Sequence, residues 1–163
     1  MLTQSELKEC LYYDPITGIF IWRISNGRRA VAGSTAGTLD PIGYIRITIN
    51  KKRYQSHRLA YLYVTGSFPP NDIDHINNIR DDNRFANLRE ATRSQNMHNS
   101  KMQKNNTSGR KGVCWQKQCK KWRALITINN KKIHLGLFND IDLAYTAYCN
   151  AATKLHRQFA NFG

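Results

Sequence analysis

At 163 residues the chain has room for one ordinary domain or two small ones, and its 25 Lys and Arg against 11 Asp and Glu leave a formal charge of +14 that draws it toward polyanions. Residues 101–163 hold 12 basic and 2 acidic side chains, whereas residues 1–100 hold 13 and 9, so the last third is the stronger electrostatic anchor. No apolar run approaches the ~20 residues that span a bilayer, and the start lacks the basic-then-apolar order of a signal peptide, which points to a cytoplasmic protein with no membrane partner.

In chain order, residues 3–12 read as a short helix with Thr3 and Glu6 placed as a capping box. Residues 14–18 form a turn, and the β-branched and aromatic stretch 19–24 is a strand. A Gly-rich loop covers 27–37. From 43 to 50, Tyr44, Arg46 and Thr48 alternate with Ile45, Ile47 and Ile49, so one face of that strand is buried and the other wet. Lys51 and Lys52 make a basic hairpin tip, and residues 57–64 form a helix stopped by Gly66 and the Pro69-Pro70 pair. His57, lying before that apolar helix, reads as structural.

Residues 72–98 carry the chemistry. A short alternating strand delivers Asp74-His75, a polar loop follows, Asn87-Leu88 opens a second strand, and a helix begins near Thr92 and carries Asn96. His75 is a proton acceptor whose ordinary pKa suits the activation of water. Asp74 is a hard oxygen donor, and neighbours in a strand address opposite faces. Asp, Asn and Arg crowd turns everywhere, so the Asp-His pair alone would carry little; the complete order carries the reading.

That order resembles the HNH endonucleases. The resemblance implies a ββα-metal (His-Me finger) fold in which His75 is the general base, Asn87 orients His75 by hydrogen bonding, and Asp74 and Asn96 hold one divalent metal, Mg²⁺ or Mn²⁺. It further implies hydrolysis of double-stranded DNA as a nick or a double-strand break, leaving 5′-phosphate and 3′-hydroxyl ends. The third motif position is Asn96 and not His, as in phage homing-type members; a phage-encoded enzyme would work in the host cytoplasm. His98 is a rival ligand, but residues two apart on a helix, turning about 100° each, point nearly oppositely. Arg80, Arg84, Arg89 and Arg93 are candidate phosphate clamps. The four cysteines, Cys10, Cys114, Cys119 and Cys149, form no Cys-x-x-Cys pair, so reduced, mostly buried thiols are expected and neither disulfides nor structural zinc.

Residues 99–108 turn to Lys, Asn, Gln, Ser and Thr and read as a linker. Strands follow at 110–115, 121–129 and 132–138, joined by a basic turn near 117–120 and by Asn129-Asn130. Asp140 caps a helix to about His156, with Ala144, Ala147, Tyr148, Ala151, Ala152 and Leu155 on one stripe. Gly112-Val113, Trp115, residues 121–124, Ile126, Leu135-Gly136, Phe138 and Ala160-Asn161 resemble, in order, the Apetala-2/ethylene-response-factor DNA-binding domain. Candidate DNA contacts there are Arg110, Lys111, Trp115, Lys117, Lys121, Trp122, Arg123 and Lys132.

The expected fold is thus α+β: a β-rich extension (1–70), the ββα-metal motif (71–100), a linker (101–108) and a three-stranded antiparallel sheet packed on one helix (109–163). The partner is double-stranded DNA, with no obligate protein partner evident. The competing reading is a sequence-specific DNA-binding regulator with an inactive nuclease remnant. It predicts damage at Asp74, His75, Asn87 or Asn96, and each of these residues is present.

Overall fold

Thr3 opens α1 (Gln4–Cys10) through the capping box the sequence predicts, its Oγ1 accepting from Glu6 N while its own N–H donates to the Glu6 carboxylate. This computed structural model describes residues 1–163 except 26, 28, 29, 104 and 130. They form two compact units, Met1–Ala91 and Thr92–Gly163.

In the first unit the helix stops two residues earlier than predicted. Leu11 and Tyr13 are buried while Tyr12 is exposed, a period of two that makes β1 (Leu11–Asp14), paired antiparallel with β2 (Ile19–Trp22). Asp14 closes the intervening turn by accepting from Ile16 N and Thr17 Oγ1. A second sheet has the order β3 (Thr38–Leu39), β4 (Ile45–Ile49), β5 (Lys52–Gln55). Asn50 and Lys51 turn the β4–β5 hairpin with φ of 50° and 64°, the conformation that matches strand twist. Of the predicted apolar face, Ile47 and Ile49 are buried and Ile45 half-buried. α2 (Ser56–Thr65) ends at Gly66 in the left-handed region. Leu7, Leu11, Tyr13, Phe20, Ile47 and Leu59 centre the core, which Ile73 and Leu88 join from the antiparallel ribbon β6 (Asp72–His75) and β7 (Leu88–Ala91).

The second unit begins with α3 (Arg93–Asn99), capped by Thr92 and Gln95. The division therefore falls inside the span 71–100 that reads as one motif, and residues 101–108 lie within the second unit. Contacts explain this: Asn161 donates to the Asn99 carbonyl, Lys111 to that of His98, and the His98 and His156 rings stack 3.7 Å apart. β8 (Val113–Gln116), β9 (Lys121–Ile128) and β10 (Lys131–Phe138) form an antiparallel sheet in the order β10-β9-β8. α4 (Ile141–His156) is capped by Asp140, whose carboxylate accepts from Asp142 N and Leu143 N. Its Ala144, Tyr148, Ala151 and Ala152 pack on Val113, Ala124 and Ile126. Leu155, predicted on the buried stripe, is exposed, and His156 is buried instead. Asn130, assigned with Asn129 to the hairpin turn, lies outside the described residues.

Cys10, Cys114 and Cys149 are half-buried and Cys119 is exposed, all as free thiols; Cys10 and Cys149 pack against the cores of their units, less deeply than the mostly buried thiols expected. No described helix is long and apolar enough to cross a membrane.

Candidate active site

Both motif residues of β6 are buried, Asp74 at 4% exposure and His75 at 5%. A buried carboxylate needs a partner, and the ribbon register supplies one. Asp74 lies opposite Arg89 of β7, and the guanidinium donates to its Oδ2 from Nε at 2.8 Å and Nη2 at 2.7 Å. Arg89, read from sequence as a phosphate clamp, is therefore the counter-ion of Asp74.

His75 sits among rings. His57 of α2 meets it edge-on, centroids 5.1 Å apart and planes at 88°, and Tyr44 lies 5.9 Å away at a tilt. Burial pushes the His75 imidazole below its ordinary pKa, with Asn83 and Asp74 acting in the opposite sense. Burial holds His57 at about 3, so it stands uncharged against its neighbour. The expectation that His57 is structural matches its place in the core wall. That this wall borders His75 is a product of the fold, which brings residues 18 apart in the chain together.

The polar loop between the ribbon strands is tied by Asn87. Its Oδ1 accepts from Asn77 N at 3.0 Å, and its Nδ2 donates to Asn77 Oδ1 at 3.0 Å and to the Asp82 carbonyl at 2.8 Å. Asn87, expected to orient His75 by hydrogen bonding, directly precedes β7, and its side-chain bonds close this loop. Asn83, from the same loop, meets His75 with its Oδ1 3.3 Å from Nε2. Asp82 is held at about 2, chiefly by hydrogen bonds from Arg84. Asn83 was missed because nothing in a run of Asp, Asn and Arg marks the one that is buried, and Tyr44 and His57 because only the fold brings their segments beside His75.

Asp74, His75 and Asn87 thus lie together in the first unit. Asn96 lies on α3 in the second, half-buried, with Arg93 exposed beside it in sequence. Arg80 donates to the Ile42 carbonyl and covers the Tyr44 ring, and Arg84 is occupied by Asp82. Among the described residues no group of three or more His, Cys, Asp and Glu gathers as a metal cluster.

In the second unit, cross-strand pairing sorts the predicted DNA contacts by face. Val113↔Ala124 and Trp115↔Trp122 share the side that packs on α4. The two tryptophan rings meet edge-on at 4.9 Å, Trp122 half-buried against the core and Trp115 half exposed. Lys121, Arg123 and Lys132 alternate to the other face, with His134 paired to Leu125. Arg110 is tied to Asp142 and lies over the Tyr145 ring. Lys111 is half-buried, donating to main-chain carbonyls, and burial pulls it down to about 8. Lys117 is exposed in the β8–β9 turn. The predicted contact set therefore divides: Arg110 is held in an ion pair, Lys111 by main-chain carbonyls and Trp122 against the core, while Lys117, Lys121, Arg123 and Lys132 are in none of these arrangements.

The buried Asp-His pair lies on a two-stranded antiparallel ribbon within residues 54–98, and these residues match the family described as HNH endonuclease. Over 90 residues, 55% of this chain and 74% of the relative, the sequence is 34% identical to Protein 3.8 of Escherichia phage T7. The chain belongs to the HNH endonucleases. A solved structure described as "DNA binding and cleavage by the HNH homing endonuclease I-HmuI" is also similar, with 18% identity and a TM-score of 0.43 over 90% of this chain and 85% of that one.

Proposed function

We propose that this endonuclease hydrolyses phosphodiester bonds of double-stranded DNA in a metal-dependent reaction of the homing type, leaving 5′-phosphate and 3′-hydroxyl ends. The observation that carries the reading is the buried Asp74-His75 pair, with the carboxylate held by Arg89 and the imidazole held by Asn83 and two rings. In this reading His75 takes the proton of the attacking water. Its lowered pKa leaves the imidazole neutral and ready to accept at neutral pH.

Asp74 and Asn96 are the proposed metal ligands in a ββα-metal site. One carboxylate and one amide oxygen make a sparse, hard donor set, which suits Mg²⁺ or Mn²⁺ that keep waters and share the substrate phosphate. Such an ion supplies charge relief at the scissile phosphate and the departing oxygen. Asn87 contributes by locking the loop that carries Asn83; Arg80 and Arg84 of the first unit and Arg93 of the second are proposed phosphate contacts.

The second unit is proposed as an Apetala-2/ethylene-response-factor-like DNA-binding domain. What supports this is the three-stranded sheet on one helix and the basic open face bearing Lys121, Arg123 and Lys132, where Arg123 Nε is buried without a hydrogen-bond partner. A guanidinium held in this way is suited to meeting a base edge or phosphate. One chain carries one site, so a monomer would nick and a dimer would cut both strands.

Supercoiled plasmid and phage genomic DNA incubated with the purified protein test the chemistry. Conversion to nicked or linear DNA with MgCl₂ and none with EDTA is expected, and the cut ends should be joined by a DNA ligase without added kinase. Cutting that persists in EDTA, or ends that require kinase treatment, would overturn the metal or the product assignment.

A further inference from the structure

We infer that Asn83 is a positioning residue for His75, its side-chain oxygen holding the imidazole in the tautomer protonated at Nε2 and so making Nδ1 the proton-accepting nitrogen. This rests on the reading of His75 as the general base.

The orientation of the Asn83 amide follows from its neighbours. Asn83 is 1% exposed, and its Nδ2 donates to the Asp81 carbonyl at 3.1 Å. A carbonyl only accepts, so the nitrogen end of the amide faces Asp81 and the oxygen end faces His75. That Oδ1 lies 3.3 Å from His75 Nε2. An amide oxygen cannot donate either, so the proton of this bond belongs to Nε2. A neutral imidazole has one N–H, and Nδ1 then carries the lone pair.

Asn83 is itself fixed from two further directions. Its carbonyl accepts from the buried Tyr13 hydroxyl at 2.6 Å. The turn at Gly18 presses on its backbone so closely that a Cβ there would lie 2.4 Å from Asn83 C. His57 edge-on and Tyr44 at a tilt limit rotation of the His75 ring. The same strand-to-loop segment that delivers the base thus also supplies, eight residues on, the acceptor that sets its tautomer.

The test reads the imidazole nitrogens of His75 directly, by long-range ¹H–¹⁵N correlation on uniformly ¹⁵N-labelled full-length protein without DNA or metal, at a pH where the ring is neutral. The wild type should show a protonated Nε2 and a bare Nδ1. Asn83→Ala should give a mixture of tautomers and a single-turnover cleavage rate lower by roughly 10- to 100-fold, the range for loss of an orienting partner, with DNA affinity unchanged. Asn83→Asp, which keeps an acceptor oxygen at that place, should retain the Nε2–H tautomer. A wild-type ring protonated at Nδ1, or a folded Asn83→Ala protein that keeps pure Nε2–H, overturns the inference. If Asn83→Ala does not fold, the wild-type and Asn83→Asp spectra still decide it. Because the spectrum is taken without substrate, the predicted tautomer in a protein that cuts no DNA would count against the nuclease role of His75 and leave the Asn83 contact standing.

Discussion

His57 is a titratable ring sealed in a wall of apolar and aromatic groups, and its pKa of about 3 against an ordinary 6.5 carries a cost in acid. The unfolded chain takes up a proton as the pH falls through 6.5, while the folded chain refuses it until about 3. Stability is therefore full above the upper value and declines between the two, by about 1.4 kcal/mol per pH unit for this one group. His75, also lowered by burial, adds in the same direction. His57→Phe should flatten the fall of the urea midpoint over that window; an unchanged slope would mean His57 is not the sealed group. At this scale the strand that carries Asp74-His75 was legible because its alternation survives in one dimension. The contact of Asn83 with the His75 ring was not, since it depends on which of several loop amides folds inward. Nor was the tie between Asp74 and Arg89, which needs the ribbon register to bring them face to face.

Turns decide whether the site is assembled. Gly18 has φ +75°, and a Cβ there would lie 2.4 Å from both Arg84 N and Asn83 C, backbone atoms with no rotamer to yield. Gly18→Ala should destabilise the first unit by roughly 2–4 kcal/mol from left-handed strain plus overpacking, and should shift the His75 and Asn83 resonances of whatever remains folded. Wild-type stability in this variant would show that the β1–β2 turn does not buttress the loop. Elements with a strong period or cap were readable: Thr3, Thr92 and Asp140 each start a helix as expected. β1 was not, because four residues of strand directly after a helix leave too short a pattern to displace the helical one. The tryptophans show the same limit. Alternation assigns Trp115 and Trp122 to one face, but only packing on α4 tells which face is inside.

Across the whole chain, the excess of positive charge in residues 101–163 is the long-range term. It acts on phosphates regardless of sequence, so duplex binding should weaken steeply with salt, each neutralised phosphate contributing a log–log slope of about −0.9. Replacing Lys121, Arg123 and Lys132 together by Gln should make that slope shallower by roughly 2–3 units if all three meet phosphates. An unchanged slope would move the DNA-binding face elsewhere. Composition made the polyanion partner legible, but the division between Ala91 and Thr92 was not, because α3 reads in sequence as the end of the motif while its contacts run to residues 156–161. The proposed role of His75 as the base of a DNA endonuclease is tested most directly by single-turnover cleavage of plasmid DNA with MgCl₂, comparing wild type with His75→Ala at matched DNA occupancy. Cleavage by the wild type and a rate roughly 10²- to 10⁴-fold lower in the variant are expected, with binding retained. Cleavage by His75→Ala at the wild-type rate, or tight, salt-sensitive binding by the wild type with no cleavage, would contradict it.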